Sequence, residues 1–337
     1  MQLYRVRLSL SVFFLVVSAG LWSTQHLTAQ RLDGALLNNL EYREIGPTRQ
    51  SGRFVDIAVP NQRPYTFYIA TASGGLWKTE NNGITFDVLF TDQDVFSIGA
   101  ITVAPSDPDI LYLGSGEANN SRSSYWGDGV YKSTNAGESW IHLGLPESHH
   151  IGRIVVHPSN PDIVYVAALG YLYSENEERG LYKTTDGGDS WIRVLGPEVE
   201  GRRIGVVDVV MDPSDTQTLY AATYDKVRLP FTFDLGGPGS RLYKSTNGGD
   251  SWIQLGAGLP EGMLGRIGVD VYERDPSIVY VTIENANKND MSEEERRQEL
   301  LDHESSRGMI GGEVYRSDDA GITWEKVSPD GQSIGGG

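Results

Sequence analysis

The densest group of side chains suited to recognition lies in segment 117–129, "EANNSRSSYWGDG". Aromatic faces beside amides, carboxylates and a guanidinium are groups that contact sugar rings or peptide segments. A loop that folds onto its own aromatic residues is the alternative, and the sequence leaves both interpretations open. The candidate ligand-binding residues here are Glu117, Asn119, Asn120, Arg122, Tyr125, Trp126 and Asp128.

A second candidate is the adjacent pair His149 and His150. On a strand, neighbouring side chains point to opposite faces, so this pair alone does not predict a two-histidine metal site. The sequence contains no Cys, which excludes thiolate metal sites and Cys nucleophiles. We therefore expect no metal and no cofactor, and we retain both histidines as ligand-binding candidates.

Composition limits the possible partners. The net charge is −17 at pH 7, and such a surface repels phosphate backbones and anionic lipid headgroups, so nucleic acid is not an expected partner. Residues 1–30 contain Arg5 and Arg7, then an apolar run, then "LTAQ", the order of a secretory signal peptide cut near Ala29. We expect a secreted, periplasmic or cell-surface protein without membrane insertion after cleavage.

The elements that must position these residues repeat along the chain. A turn of the form Ser/Thr-x-Asp/Asn-x-Gly-x-Ser/Thr-aromatic occurs five times, for example "KTTDGGDSW" at 183–191. Two apolar runs joined by a Pro/Asp/Ser turn precede each copy, as in "VVHPSNPDIVYVA" from 155. Each unit therefore predicts four short antiparallel strands, a to d, which is a blade of a β-propeller.

This turn resembles the Asp-box, or bacterial neuraminidase repeat, of sialidases, two-propeller xyloglucanases and sortilin-type receptors. The resemblance covers about residues 40–337 and implies the fold, whereas the activity stays open because this fold carries enzymes and binding proteins alike. We expect the acid or amide to accept backbone N–H groups, the glycine to adopt a positive φ and the aromatic ring to enter the gap between blades. A calcium loop would need more carboxylates than these turns supply. The expected structural positions are Asn81, Gly83, Phe86, Asn135, Gly137, Trp140, Asp186, Gly188, Trp191, Asn247, Gly249, Trp252, Asp319, Gly321 and Trp324.

The expected fold is all-β, with about five complete four-stranded blades at 51–92, 96–145, 150–197, 202–258 and 264–328. Residues 31–50 precede them, and "EYREIGP" within that segment resembles an outer strand d whose blade lies elsewhere. An intact ring usually has six or seven blades. We therefore expect an incomplete ring, from the N-terminal part of a longer chain.

Alternation of strand direction places the b–c loops and the d–a links on one rim, and these are the longer, more varied connections. We expect ligand binding on that rim. The loop from Glu284 to Gly311 carries a predicted short helix at 292–304, a candidate surface for partner proteins. Arg53 and Arg266 match in position before strand a, and Arg153 is two residues out of register. These three could clamp an anion at the central channel or tie down loops.

Three functions remain open. The first is a binding module for a glycan or an extracellular polypeptide, and the second is a sortilin-like assembly platform. The third is the N-terminal propeller of a glycoside hydrolase, since the resemblance to xyloglucanases implies an acid and a base on two propellers. Asp56, in strand a of the first blade, is the candidate catalytic residue, with blade packing as its alternative role. The sialidase Arg-Ile-Pro signature is missing, which disfavours sialidase activity.

Overall fold

A computed structural model describes residues 52–229, 233–289 and 309–329 of the chain. Its strands form five four-stranded antiparallel sheets and two short hairpins, and the described residues contain no α-helix. The predicted signal peptide, the segment 31–50 and the predicted helix at 292–304 lie outside the described residues.

Each sheet is built from strands that follow one another in the chain, which makes it a blade. Blade 1 contains β1 (Phe54–Ala58), β2 (Phe67–Thr71), β3 (Leu76–Thr79) and β4 (Asp87–Leu89), and blade 2 contains β5 (Ile98–Val103), β6 (Leu111–Ser115), β7 (Val130–Ser133) and β8 (Ile141–His142). Blade 3 contains β9 (Ile151–Val156), β10 (Val164–Ala168), β11 (Gly180–Thr184) and β12 (Ile192–Leu195), followed by the hairpin β13 (Glu198–Val199) and β14 (Arg202–Arg203). Blade 4 contains β15 (Gly205–Met211), β16 (Leu219–Tyr224), β19 (Leu242–Ser245) and β20 (Ile253–Leu255), with the hairpin β17 (Val227–Arg228) and β18 (Phe233–Asp234) inserted. Blade 5 contains β21 (Leu264–Val271), β22 (Val279–Lys288), β23 (Met309–Ser317) and β24 (Glu325–Lys326).

The first strands of successive blades are neighbours, so β1, β5, β9, β15 and β21 follow one another around a common axis. Apolar side chains from facing sheets fill the space between blades and form the cores. This radial arrangement confirms the predicted all-β propeller architecture.

The first strand of each blade, which lies nearest the common axis and is called the inner strand here, contains a bulge. In blade 2 the register passes from Ile98 to Ala100 and leaves Gly99 unpaired. A Cβ at Gly99 would lie 2.0 Å from the carbonyl oxygen of Ile151, so only glycine allows this approach of blade 3.

The five repeated turns share one hydrogen-bond network. In blade 3 the Thr184 hydroxyl donates to the Asp186 carboxylate (2.6 Å), which also accepts from the backbone N–H of Ser190 (2.9 Å). In blade 2 the Asn135 amide oxygen accepts from the N–H of Ser139 (2.9 Å) in the same way. Gly188 has φ +104°. The turn is therefore closed by its own side chains.

The aromatic residue of each later turn packs against the blade before it. Trp140 meets the Phe90 ring edge-on at 5.4 Å, and Trp191 and Trp252 pack into the cores shared with blades 2 and 3. In blade 1, by contrast, Phe86 meets Phe67 of its own blade at 5.9 Å.

A tyrosine on the second strand of each of blades 1 to 4 completes the joint to the next blade. Its hydroxyl donates to a carbonyl oxygen of the next blade's repeated turn, and a lysine on the third strand lies over the ring. We call this contact the tyrosine joint. Its hydrogen bonds run from Tyr68 to Ala136 (3.1 Å), Tyr112 to Gly187 (3.3 Å), Tyr165 to Gly248 (2.8 Å) and Tyr220 to Ala320 (2.8 Å). The Tyr112 hydroxyl also lies 2.9 Å from the Pro161 carbonyl oxygen of blade 3.

Candidate functional site

A cleft of about 490 Å³ opens between blades 2 and 3. Three connections build it: the b–c loop of blade 2, the d–a link to blade 3 and the b–c loop of blade 3, all on the rim opposite the repeated turns. Its lining residues are Arg122, Ser123, Ser124, Tyr125, Trp126, His149, His150, Tyr171, Leu172, Tyr173 and Ser174.

Aromatic side chains dominate this cleft. Trp126 is 65% exposed, Tyr125 48% and Tyr173 44%, so their faces are open to a ligand. The Trp126 ring stacks with His149 at 6.5 Å, and His149 lies 4.1 Å from the Tyr171 ring, both measured between centroids. The lining contains one arginine and no carboxylate. Such a surface suits the apolar faces of neutral sugar rings.

The link between blades 2 and 3 holds the His149 ring in place. Pro146–Ser148 form a single 3-10 turn, after which His149 adopts φ 48°, a region that non-glycine residues rarely occupy. The next residue fixes this conformation, because the buried His150 Nδ1–H donates to the carbonyl oxygen of Glu117 (2.8 Å).

Burial also sets the charge of the two histidines. It lowers the pKa of His150 to about 3, with Lys226 adding to the effect. Burial lowers the pKa of His149 as well, against the opposing charge of Glu147. Both rings are therefore neutral at pH 7, and His149 can donate or accept a hydrogen bond at the cleft.

Lys226 lies beneath the cleft. Its ammonium donates to the carbonyl oxygens of Tyr171 (3.1 Å) and Leu172 (3.5 Å), which fixes the blade 3 loop from blade 4. Burial, followed by the charge of Arg179, lowers the pKa of Lys226 to about 7. Lys226 thus supports the floor of the cleft.

The segment 116–129 crosses the upper end of the axis and is held by several blades. Arg53 donates to both carboxylate oxygens of the fully buried Glu117 (2.5 Å each), and Asn119 donates to the same carboxylate (2.9 Å). Asn120 donates to the Tyr224 hydroxyl of blade 4 (3.3 Å), and Arg266 of blade 5 donates to the carbonyl oxygen of Ala118. We call this segment the bridging loop.

An axial cavity of about 180 Å³ lies under the bridging loop, lined by residues of all five inner strands. Arg153 on its wall donates to Asp208 (3.0 Å). The nearby Asp56 accepts from the N–H groups of Ile57 (2.9 Å) and Ile101 (3.0 Å), which ties blade 1 to blade 2. Burial raises the pKa of Asp56, although these two bonds oppose the rise.

The structure divides the residues that the sequence singled out into three places. The cleft brings together Arg122, Tyr125, Trp126, His149 and His150. Below it, the bridging loop uses Glu117, Asn119 and Asn120 with Arg53, while Asp128 accepts from the Tyr131 hydroxyl (2.8 Å). The axis holds Asp56, Arg153 and Arg266. Ligand binding by these residues and catalysis by Asp56 stay predictions.

Tyr171, Tyr173 and Lys226 lie in b–c loops that the sequence placed on the binding rim, but the sequence did not single out these three residues. The first two lie in "GYLYSENEERG", where two tyrosines two residues apart beside glycine were the available signal. Lys226 gave no signal, since its burial depends on the packing of blade 4 against the blade 3 loop. Within residues 52–229, 233–289 and 309–329 there is no group of three His, Asp or Glu side chains suited to a metal ion. No helix of the described residues is long and apolar enough to span a membrane.

The five four-stranded blades define a β-propeller, and comparison with known proteins relates this propeller to xyloglucanases. No protein-family model matches the chain. It is similar to a xyloglucanase of Paenibacillus sp, with 26% identity over 249 residues that cover 65% of this chain and 22% of that protein. An oligoxyloglucan-reducing end-specific xyloglucanase of Emericella nidulans is 26% identical over 210 residues, which cover 58% of this chain and 23% of that protein.

Solved structures agree on the fold. The GH74 enzyme of Niastella koreensis superposes with a TM-score of 0.57 at 20% identity, over 81% of this chain and 38% of that chain. The GH74 xyloglucanase of Xanthomonas campestris gives a TM-score of 0.56 at 18% identity, over 82% and 38%. The chain thus spans less than a quarter of the curated relatives and under half of these structures.

Proposed function

We propose that this protein is a secreted Asp-box propeller that binds a neutral polysaccharide of the xyloglucan type in the cleft between blades 2 and 3. One observation carries the proposal: Tyr125, Trp126 and Tyr173 expose their rings around a cleft whose lining contains no carboxylate. Similarity to xyloglucanases supports the choice of polysaccharide. Secretion rests on the leader-like residues 1–30, and N-terminal sequencing of exported protein should find a chain that starts close to Gln30.

Binding to xyloglucan oligosaccharides, measured by calorimetry, tests the proposal. Trp126→Ala should weaken binding about tenfold or more, because loss of a central aromatic contact typically costs over 1 kcal/mol. Tyr65→Ala is the matched control, since Tyr65 is 67% exposed on blade 1, away from the cleft. Equal affinities of the unmodified protein and Trp126→Ala, or no binding, would refute the proposal.

Similarity to xyloglucanases also favours a second function, the propeller part of a hydrolase. Glycoside hydrolysis generally needs two carboxyl groups about 5–9.5 Å apart. The cleft offers none among its lining residues, and Asp56 lies at the axis, held by two backbone N–H groups. We therefore expect binding of xyloglucan without release of reducing ends. Reducing-end release that Asp56→Asn abolishes would instead favour the hydrolase.

A further inference from the structure

The aromatic surface of the cleft continues beyond the residues that line it. Phe96 lies in the link from blade 1 to blade 2, outside the cleft lining, and is 50% exposed. Its ring lies 5.2 Å from the ring of Tyr125, measured between centroids, with an angle of 57° between the two planes. Tyr125 is itself a lining residue of the cleft. This tyrosine therefore belongs both to the cleft and to a second aromatic surface, formed by Phe96 and Tyr125, which we call the outer platform.

Two consecutive residues of the bridging loop connect the outer platform to the cleft. Tyr125 contacts Phe96 in the link before blade 2, whereas Trp126 stacks with His149 in the link after blade 2. The two rings thus lie toward opposite flanks of this blade. Contact with both Phe96 and Trp126 therefore requires a ligand that extends across the top of blade 2.

Hydrogen bonds to the backbone hold the outer platform in place. The hydroxyl of Ser97, which is fully buried, donates to the carbonyl oxygen of Tyr125 (3.1 Å). The backbone N–H of Gly116 donates to the carbonyl oxygen of Ser97 (2.7 Å), and that of Gly75 donates to the carbonyl oxygen of Phe96 (3.2 Å). Blades 1 and 2 thus both fix the backbone that carries the Phe96 ring. A ligand that stacks on this ring loses little affinity to the ordering of the protein.

The chemistry of the outer platform favours a neutral glycan chain. Phe96 offers a flat apolar face and no hydrogen-bonding group, which suits the apolar face of a sugar ring. An extended peptide gains affinity through hydrogen bonds to its main chain, and the Phe96 side chain supplies no partner for them. The net charge of −17 disfavours polyanionic chains. Because Tyr125 belongs to both surfaces, one molecule can occupy the cleft and the outer platform together.

We propose that the outer platform is a second subsite for the polysaccharide, so that the protein recognises a chain long enough to span both surfaces. This inference rests on the proposed function of the cleft. One stretch of the chain occupies the cleft beside Trp126, and a further stretch crosses blade 2 and stacks on Phe96. The second contact strengthens binding because the first already holds the chain nearby.

Calorimetry with xyloglucan oligosaccharides of increasing length tests the proposal, with the single-repeat oligosaccharide, its dimer and its trimer as ligands. Affinity should rise with length in the unmodified protein. Phe96→Ala should weaken trimer binding at least about fivefold and change single-repeat binding by less than about twofold, because the short ligand does not reach Phe96. Trp126→Ala should weaken binding of all three ligands, since all three use the cleft. Tyr65→Ala is the matched control and should leave all three affinities unchanged. Tyr65 lies on the opposite rim, where its carbonyl oxygen accepts from the N–H of Asn82 in the repeated turn.

Two further variants of Phe96 separate stacking from apolar packing. Phe96→Tyr keeps an aromatic ring and should retain the trimer affinity. Phe96→Leu keeps an apolar side chain without a ring and should lose trimer affinity as Phe96→Ala does. Circular dichroism of each variant verifies that the fold is kept.

Three results would overturn the proposal: trimer binding by Phe96→Ala that equals that of the unmodified protein, affinity that does not depend on ligand length, or full trimer affinity in Phe96→Leu. If Trp126→Ala still weakens binding, these results count against the outer platform alone and leave the cleft as the binding site. No binding of any oligosaccharide would overturn both this inference and the proposed function. Saturable binding of unfolded casein that Phe96→Ala abolishes, with trimer affinity unchanged, would identify a polypeptide as the occupant instead.

Discussion

At the scale of single residues, the repeated turn explains why asparagine and aspartate interchange at its centre. The acceptor oxygen takes one backbone N–H from the residue four positions later, in Asn247 (2.9 Å) as in Asp186 (2.9 Å). The other polar atom of the side chain differs between the two residues. The Asn247 amide nitrogen donates to the Ser251 hydroxyl, whereas the second carboxylate oxygen of Asp186 accepts from the Ser190 hydroxyl. Because serine both donates and accepts, either residue closes the turn. The turn therefore does not require a negatively charged side chain at this position.

The two acidic turns should make stability depend on pH. Hydrogen bonds from Ser190 and Thr184 hold the pKa of Asp186 far below its usual range, and those from Thr323 and Ser317 lower the pKa of Asp319 to about 2. A depressed folded-state pKa gives stability that is complete above the unfolded pKa, about 3.9, and is lost as pH falls through the folded value. Asp186→Asn should therefore leave the free energy of unfolding nearly unchanged at pH 7 and make its decline between pH 5 and pH 2 shallower. Urea unfolding across that range measures this, and an unchanged slope would contradict it.

At the scale of elements, the tyrosine joint was the feature that the sequence did not show. The tyrosines on second strands looked like ordinary strand residues, because their partners are carbonyl oxygens about 70–100 positions later, for example Tyr220 and Ala320. A pattern in sequence identifies side chains, whereas a backbone acceptor in the next blade becomes visible only in three dimensions. The turn residues, in contrast, bond within nine residues and were predictable.

Removal of one hydroxyl tests the strength of this joint. Tyr165→Phe leaves the ring but deletes its bond to Gly248, while Lys183 still donates to that carbonyl oxygen. We expect the free energy of unfolding to fall by about 1 kcal/mol, the usual contribution of one buried hydrogen bond. Tyr280→Phe is the matched control and should change it by less than half as much, because among the described residues the Tyr280 hydroxyl bonds only to Arg316 of its own blade. Equal losses in the two variants would show that the hydroxyl does not act between blades.

At the scale of the whole molecule, strand repetition predicted the propeller and its two rims, since each unit obeys the same alternation. The cleft was predictable in part, because Tyr125 and Trp126 stand out in one loop. Its other wall contains Tyr171 and Tyr173, which the sequence did not single out, and the bridging loop's ties to Arg53, Tyr224 and Arg266 join residues far apart in sequence. Such contacts depend on how the blades are arranged around the axis. The spacing of residues in the sequence does not specify that arrangement.

The bridging loop should couple blade arrangement to the cleft. Arg53→Ala leaves the buried Glu117 carboxylate with Asn119 as its remaining side-chain donor, so we expect a loss of about 1–3 kcal/mol in the free energy of unfolding. Oligosaccharide affinity should fall as well, because the same loop carries Trp126. The double variant Arg53→Ala with Glu117→Gln should recover part of the stability, since a neutral amide costs less to bury. A loss in Arg53→Ala that Glu117→Gln leaves unchanged would argue against this pairing.

The tyrosine joints all point the same way along the chain, from the second strand of one blade to the turn of the following blade. Every internal blade thus has a tyrosine hydroxyl on one side and an acceptor carbonyl oxygen on the other. One internal blade can therefore follow another with the same hydrogen bond at the interface between them. Duplication or excision of a whole unit preserves both flanks. Ring size in such a protein can therefore change during evolution by gain or loss of complete units, while each seam keeps its fit.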